Sequence, residues 1–166
     1  MSRVANFLGY QLGWLACVCG AAQGRPWLGA AVGLALVLLH LARAPQWRAE
    51  LRLVLLAAVI GAVFDTLLAR GGWVHYAGGA LLERTAPAWI LVLWMLFATT
   101  VRHSLAALGT RPALASALGA VGAPLAYLGG ARLGALTLPQ PILALGALAV
   151  GWATVCPLLF RVGPHA

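Results

Sequence analysis

The sequence predicts an all-α fold, a polytopic bundle of about six transmembrane helices. Its 166 residues are 63% apolar and only 8% charged, whereas about a quarter of the residues in soluble domains are charged. Apolar stretches of about 20 residues, the length that crosses a bilayer, recur along the chain. A length of 166 residues allows one membrane domain, over 1–166, and no separate soluble domain.

Short segments that break helices separate the predicted spans. Gly24-Arg25-Pro26, Ala44-Pro45-Gln46 and Pro139-Gln140-Pro141 are examples of these breaks. The longest gap, 70–87, is too short to cross the bilayer, so it is predicted to be an interfacial loop or a re-entrant segment. The six spans are predicted at about 5–22, 27–43, 51–69, 88–108, 113–130 and 141–161.

The arginines predict the orientation and the partners of this bundle. All eleven basic residues are arginines, of which seven fall on the side of the N-terminus and four on the other side. Because basic residues are enriched in cytoplasmic loops, both termini are predicted to be cytoplasmic. The arginines are dispersed, which suits anionic lipid headgroups, whereas nucleic acid requires clustered cations. The predicted partners are therefore membrane lipids and not nucleic acid.

The cysteines and histidines do not form a recognisable metal motif. The three cysteines lie in apolar runs and have no C-x-x-C spacing. The four histidines are scattered, without an H-x-x-x-H pair or a carboxylate at ligand spacing. The sequence therefore predicts no metal site and no cofactor.

Asp65 is the only acid within a predicted span, and an ionisable residue inside the bilayer is a candidate functional residue. It shares a helix face with Ala58, Gly61 and Ala62, so it is predicted to point into the bundle. At its depth Arg132 is the preferred partner, with hydroxyl or backbone donors on a neighbouring helix as the alternative. Asp65 is then either part of a structural ion pair or hydrogen bond, or a proton-binding or catalytic carboxylate.

The end of the fourth span is the most polar stretch of any predicted helix. Trp94 and Arg102 share one stripe of this helix, and His103 lies on the next. Arg102 is predicted either to extend to the cytoplasmic headgroups or, with His103, to hold an anionic lipid headgroup or a carboxylate.

The first span carries polar residues in its cytoplasmic half. Asn6, Tyr10 and Trp14 lie on one side of the helix and Gln11 on another. Amides in lipid commonly form hydrogen bonds across helices, so this role is favoured over ligand contact. Small residues at helical spacing, such as Gly29 and Gly33, predict close helix packing and leave homo-oligomer formation open.

A set of motifs that covers nearly the whole chain resembles a family of uncharacterised bacterial inner-membrane proteins. The resemblance implies a location and a fold but no activity, and it assigns no role to Asp65, Trp94, Arg132 or Trp152. It also implies gene neighbours that encode cyclopropane-fatty-acid-type methyltransferases and flavin-dependent oxidoreductases. The motifs that carry it include Asn6-Phe7 with Gln11-Leu12-Gly13-Trp14, Asp65-Thr66-Leu67-Leu68, Leu93-Trp94 with Phe97-Ala98-Thr99-Thr100, and Gly122-Ala123-Pro124-Leu125-Ala126-Tyr127.

Three functions are compatible with these observations. The first is an accessory component of fatty-acyl or membrane-lipid modification, with a lipid-modifying enzyme as its partner and no catalytic role of its own. The second is a small oligomeric transporter or flippase-like carrier that uses Asp65. The third is an intramembrane lipid enzyme, although no paired carboxylates, P-loop or nucleophile elbow is present.

Overall fold

The structure, a computed structural model, describes residues 2–162, which form six α-helices and almost no strand. The all-α fold is therefore confirmed. Five of these helices are long and apolar enough to cross a membrane, and α4 is shorter. The helices are α1 (Arg3–Ala22), α2 (Pro26–Arg43), α3 (Trp47–Arg70), α4 (Ala88–Val101), α5 (Pro112–Leu133) and α6 (Pro141–Val162).

Helix α4 ends earlier than the predicted span 88–108. Its 14 residues extend for about 21 Å at 1.5 Å per residue. The hydroxyls of Thr99 and Thr100 donate hydrogen bonds to the carbonyls of Leu96 (2.7 Å) and Phe97 (2.6 Å), and such bonds compete with the backbone ladder of a helix. A turn follows, and then a single 3-10 turn over Ala106–Leu108.

Two short strands join the loops at the other end of the bundle. Strand β1 (His75–Tyr76), in the loop after α3, pairs antiparallel with β2 (Leu136–Thr137), between α5 and α6. Gly72 and Gly134 precede these strands with φ of 70° and 87°, a left-handed conformation that glycine adopts without steric cost. The pairing therefore fixes residues of the 70–87 segment against the end of α5. An interfacial or re-entrant position of this segment stays a prediction.

The core is centred on α4, which packs against α1, α2 and α3. Its side chains are buried on several sides, including Trp89, Trp94 and Leu96, as expected of a helix that is apolar all round. Helices α5 and α6 form a tight hairpin, because a Cβ on Gly119 would lie only 2.9 Å from the Cβ of Cys156. Helices α5 and α6 pack more extensively against each other than against the other helices.

Many large apolar side chains point outward from the long helices, for example Leu12, Val59, Val63 and Val150, which are at least half exposed. In water such a surface would be an aggregation hazard, whereas in a bilayer it is the surface that meets lipid. The exposed faces and the five long apolar helices together indicate an integral membrane protein.

Candidate functional site

The carboxylate of Asp65 is completely buried and is surrounded by hydrogen-bond donors. The indole N–H of Trp94 donates to Oδ2 at 2.7 Å, and the hydroxyl of Tyr76 donates to Oδ1 at 2.6 Å. The hydroxyl of Tyr127 donates to the same Oδ1 atom. These donors come from α4, β1 and α5, so one side chain of α3 ties together three separate parts of the fold.

Local sequence features position each of these donors. Gly61, one turn before Asp65, leaves room for the indole of Trp94, since a Cβ there would lie 2.6 Å from the indole nitrogen. Tyr76 reaches the carboxylate because the β1–β2 pairing places it opposite Leu136. Burial raises the pKa of Tyr76 well above its ordinary value, so its hydroxyl keeps the proton that it donates.

The prediction that Asp65 points into the bundle is confirmed, but the preference for Arg132 as its partner is wrong. Arg132 is exposed, and the described residues contain no ion pair with Asp65. On α5 Arg132 lies about 140° around the helix axis from Tyr127, at 100° per residue. The face of α5 that contacts α3 therefore presents the tyrosine, and the hydroxyl alternative of the sequence analysis is the one found.

A second polar cluster, formed by His40, Glu50 and His103, lies at the opposite end of α3, about 22 Å from Asp65 at 1.5 Å per residue. The carboxylate of Glu50 is 3.3 Å from His40 Nε2 and 3.1 Å from His103 Nε2, through different oxygens. Arg102 lies 3.5 Å from Glu50 Oε1 and donates to Gln46 Oε1 at 2.6 Å. Arg102 and His103 thus contact the carboxylate of Glu50 in the same chain, and their binding of an anionic lipid headgroup or a ligand carboxylate stays a prediction.

Glu50 corrects the prediction that Asp65 is the only acid within a span. Helix α3 begins at Trp47, so it includes Glu50, and the Glu50 side chain turns inward and is buried. Burial lowers the pKa of His103, although the nearby Glu50 carboxylate opposes this shift. His103 therefore favours the neutral form, in which one ring nitrogen carries a lone pair.

Asn6 forms the contact between helices that the sequence favours. Its amide nitrogen donates to the carbonyl of Thr99 at 3.0 Å, and its amide oxygen accepts a hydrogen bond from the hydroxyl of Ser104 at 2.7 Å. These bonds join the start of α1 to the end of α4. Asn6 therefore stabilises the turn that follows α4 and does not line the cavity described next.

An apolar cavity of about 270 Å³ lies between the α1–α4 group and the α5–α6 hairpin. It is lined mainly by aromatic and aliphatic side chains, with Gln11 as a polar exception. The small residues of α5 leave an open space, and aromatic side chains of α1, α4 and α6 surround it. The wall includes Phe7, Tyr10, Gln11, Trp14, Val18, Trp89, Leu93, Trp94, Phe97, Leu118, Gly122, Ala123, Ala126, Tyr127, Gly130 and Trp152.

The cavity is elongated along the helix axes and opens sideways. Its wall extends from Phe7 to Val18 on α1 and from Leu118 to Gly130 on α5, which is about 17 Å at 1.5 Å per residue. Phe7, Leu118 and Gly122 line it and are also exposed on the surface. The opening therefore lies between α1 and α5, where a bilayer would place lipid.

One wall of the cavity is continuous with the Asp65 network. Trp94 and Tyr127, which donate to Asp65, both line the cavity, whereas Asp65 itself has no exposed surface. The indole of Trp94 stacks on that of Trp152, with ring centroids 4.2 Å apart, and Phe97 packs edge-on against Trp152. This aromatic stack separates the cavity from the buried carboxylate.

Sequence reasoning missed Tyr76, His40, Glu50 and the cavity role of Trp152. The apolar Gly151-Trp152 dipeptide gives no sign of a partner on α4. The available sequence signal for the polar cluster is that His40 and Glu50 flank the break between two spans and lie at the same predicted depth as Arg102.

The family model described as "Protein of unknown function (DUF2878)" matches residues 3–158. No curated protein and no solved structure matches the chain.

Proposed function

The chain belongs to the family described as "Protein of unknown function (DUF2878)", and we propose that it binds a lipid acyl chain in the lateral cavity as an accessory component of fatty-acyl or membrane-lipid modification. The observation that carries this proposal is the cavity itself. It is apolar, it is elongated along the helix axes, and it opens between α1 and α5.

The dimensions of the cavity support a single chain as its occupant. Its estimated length of about 17 Å is close to half of a hydrocarbon core about 30 Å thick, which is one leaflet. A volume of about 270 Å³ is slightly below the range of about 300–1,000 Å³ typical of small-molecule sites. One acyl chain that lies parallel to its neighbours in the leaflet fits this shape better than a whole phospholipid or a polar solute.

The transporter alternative receives less support from the same geometry. A coupling carboxylate has to meet its ion or substrate, whereas Asp65 is fully buried behind Trp94 and Tyr127. Its three donors link α3 to other parts of the fold, which is the arrangement of a structural hydrogen-bond centre. An enzyme of lipid chemistry would need a reactive group that faces the cavity, and its wall is almost entirely apolar.

The location and the partners form part of this proposal. The resemblance to bacterial inner-membrane proteins supports an inner membrane location, and the excess of arginines on the side of the N-terminus supports cytoplasmic termini. A chain-binding protein whose cavity wall is almost entirely apolar would act beside a lipid-modifying enzyme, and the exposed apolar faces leave room for homo-oligomer formation. Affinity purification followed by mass spectrometry tests this partner, and a stable complex with a methyltransferase or an oxidoreductase is the expected result.

Filling the cavity tests the acyl-chain proposal. Gly122 lines the cavity, and a Cβ built on it meets no atom within 4 Å. Gly122→Phe therefore introduces a ring at the cavity wall without a backbone clash. Gly146→Phe is the matched control, because a Cβ at Gly146 on α6 also meets no atom and this residue is exposed and outside the cavity wall.

The measurement is the amount of lipid or fatty acid that remains bound after purification in a mild detergent, determined by native mass spectrometry. We expect the wild-type protein and Gly146→Phe to retain about one acyl-chain ligand and Gly122→Phe to lose it. Equal retention by all three proteins, with equal thermal stability, would contradict binding in this cavity.

A further inference from the structure

The cluster of His40, Glu50 and His103 brings together three side chains that the sequence keeps apart. His40 lies near the end of α2, Glu50 in the first turn of α3, and His103 in the turn after α4. His40 and Glu50 are buried, and His103 is partly exposed. The three residues form no ligand-spacing motif along the chain, because no two of them share a helix.

The donor atoms of the cluster have the separations of metal ligands. One ring nitrogen from each histidine and one carboxylate oxygen lie within 4.8 Å of one another. Bonds of about 2.0–2.2 Å in a tetrahedral zinc site place neighbouring donor atoms about 3.3 Å apart. The N–O distances here are 3.1 and 3.3 Å, one to each oxygen of the Glu50 carboxylate. Both are longer than the 2.7–2.9 Å that is typical of charge-assisted hydrogen bonds.

We propose that His40, Glu50 and His103 bind one divalent transition-metal ion, with Zn²⁺ as the best match. Two histidines and one carboxylate form the donor set of open zinc sites and of non-haem iron sites, which leave at least one coordination position free. Since His103 is the only partly exposed member, the free position faces the side of the turn after α4. This site is independent of the acyl-chain cavity, which contains none of these three residues.

Arg102 is expected to weaken metal binding at this cluster. Its guanidinium lies 3.5 Å from the same oxygen of Glu50 that His103 contacts, so it competes with a cation for that oxygen. Gln46 holds the guanidinium in place through a hydrogen bond of 2.6 Å. Arg102→Gln removes the competing charge and is expected to make metal binding tighter.

Metal titration of the purified full-length protein tests the site. The protein carries a tag without histidine, and the two remaining histidines of the sequence are replaced in a His75→Ala/His165→Ala background. After treatment with a chelator, Zn²⁺ binding is measured by competition with a chromophoric chelator. Co²⁺ provides an independent readout, because its visible absorption spectrum reports tetrahedral coordination.

We expect one equivalent of Zn²⁺ per chain in this background and a tetrahedral Co²⁺ spectrum. His103 is the partly exposed member of the cluster, so His103→Ala should disturb the buried packing least. This variant should weaken Zn²⁺ binding by more than about 100-fold, because loss of an outer-shell partner alone costs 10–100-fold. Glu50→Gln should do the same. Absence of one-equivalent binding in the background protein, or unchanged binding in a folded His103→Ala variant, would overturn the proposal.

Discussion

Removal of the Asp65 carboxylate should destabilise the fold strongly, because three donors share this one buried acceptor group. In Asp65→Ala the hydroxyls of Tyr76 and Tyr127 and the indole N–H of Trp94 lose their partner. An interhelical hydrogen bond in a membrane protein contributes about 0.6 kcal/mol on average, and a buried donor left unpaired costs about 1–3 kcal/mol. The expected loss is therefore between about 2 and about 9 kcal/mol.

The free energy of unfolding in bicelles, measured by steric trapping, is the assay for this prediction. Tyr127→Phe removes one donor and leaves the carboxylate with two, so it should cost about 0.6–1.7 kcal/mol. In the double variant the two losses should not add, with a coupling of about 0.5–3 kcal/mol, since the two groups contact each other.

Thr154→Ala is the control, because the Thr154 hydroxyl is exposed and bonds only to carbonyls of its own helix. This variant should stay within about 0.5 kcal/mol of the wild type. A loss from Asp65→Ala as small as that from this control, or simple additivity of the losses from Asp65→Ala and Tyr127→Phe, would contradict a shared hydrogen-bond centre at Asp65.

Two further variants, one of them with a control, test other contacts between the helices. Gly61→Ala should lower the free energy of unfolding by about 1–3 kcal/mol in the same assay, because its Cβ would displace the indole of Trp94. Gly146→Ala is the control, because a Cβ there meets no atom, and it should be neutral or slightly stabilising. Asn6→Leu should lower the free energy of unfolding by about 1–3 kcal/mol, since it leaves Ser104 without its partner. Unchanged stability would contradict a stabilising contact of Asn6 between α1 and α4.

The helices were predictable because a bilayer demands long apolar segments, and Gly, Pro and Arg mark the breaks between them. The end of α4 was not predictable on this basis. Apolar residues resume at 105–108 after the polar Arg102-His103-Ser104, so the sequence extends the span past Val101. In the structure Thr99 and Thr100 form hydrogen bonds to the preceding turn, and Asn6 of another helix accepts a hydrogen bond from Ser104. Tertiary contacts, which the local pattern does not contain, end this helix.

The burial of Asp65 was predictable from the small residues on its face, whereas its partners were not. A charge argument favoured Arg132, but the rotation of α5 presents Tyr127 instead. Tyr76 reaches the site through a pairing of two-residue strands, which is too short to leave an alternating pattern. Glu50 was missed because the predicted third span began one residue after it.

Photo-cross-linking with a fatty-acyl lipid that carries a diazirine in the middle of its chain is the most direct test of the acyl-chain cavity. The protein is irradiated in lipid vesicles and the modified residues are mapped by mass spectrometry. We expect adducts concentrated on cavity residues such as Tyr10, Phe97 and Leu118, and their loss in Gly122→Phe but not in Gly146→Phe. Adducts confined to outward-facing residues such as Val59 and Val63, with none in the cavity wall, would contradict it.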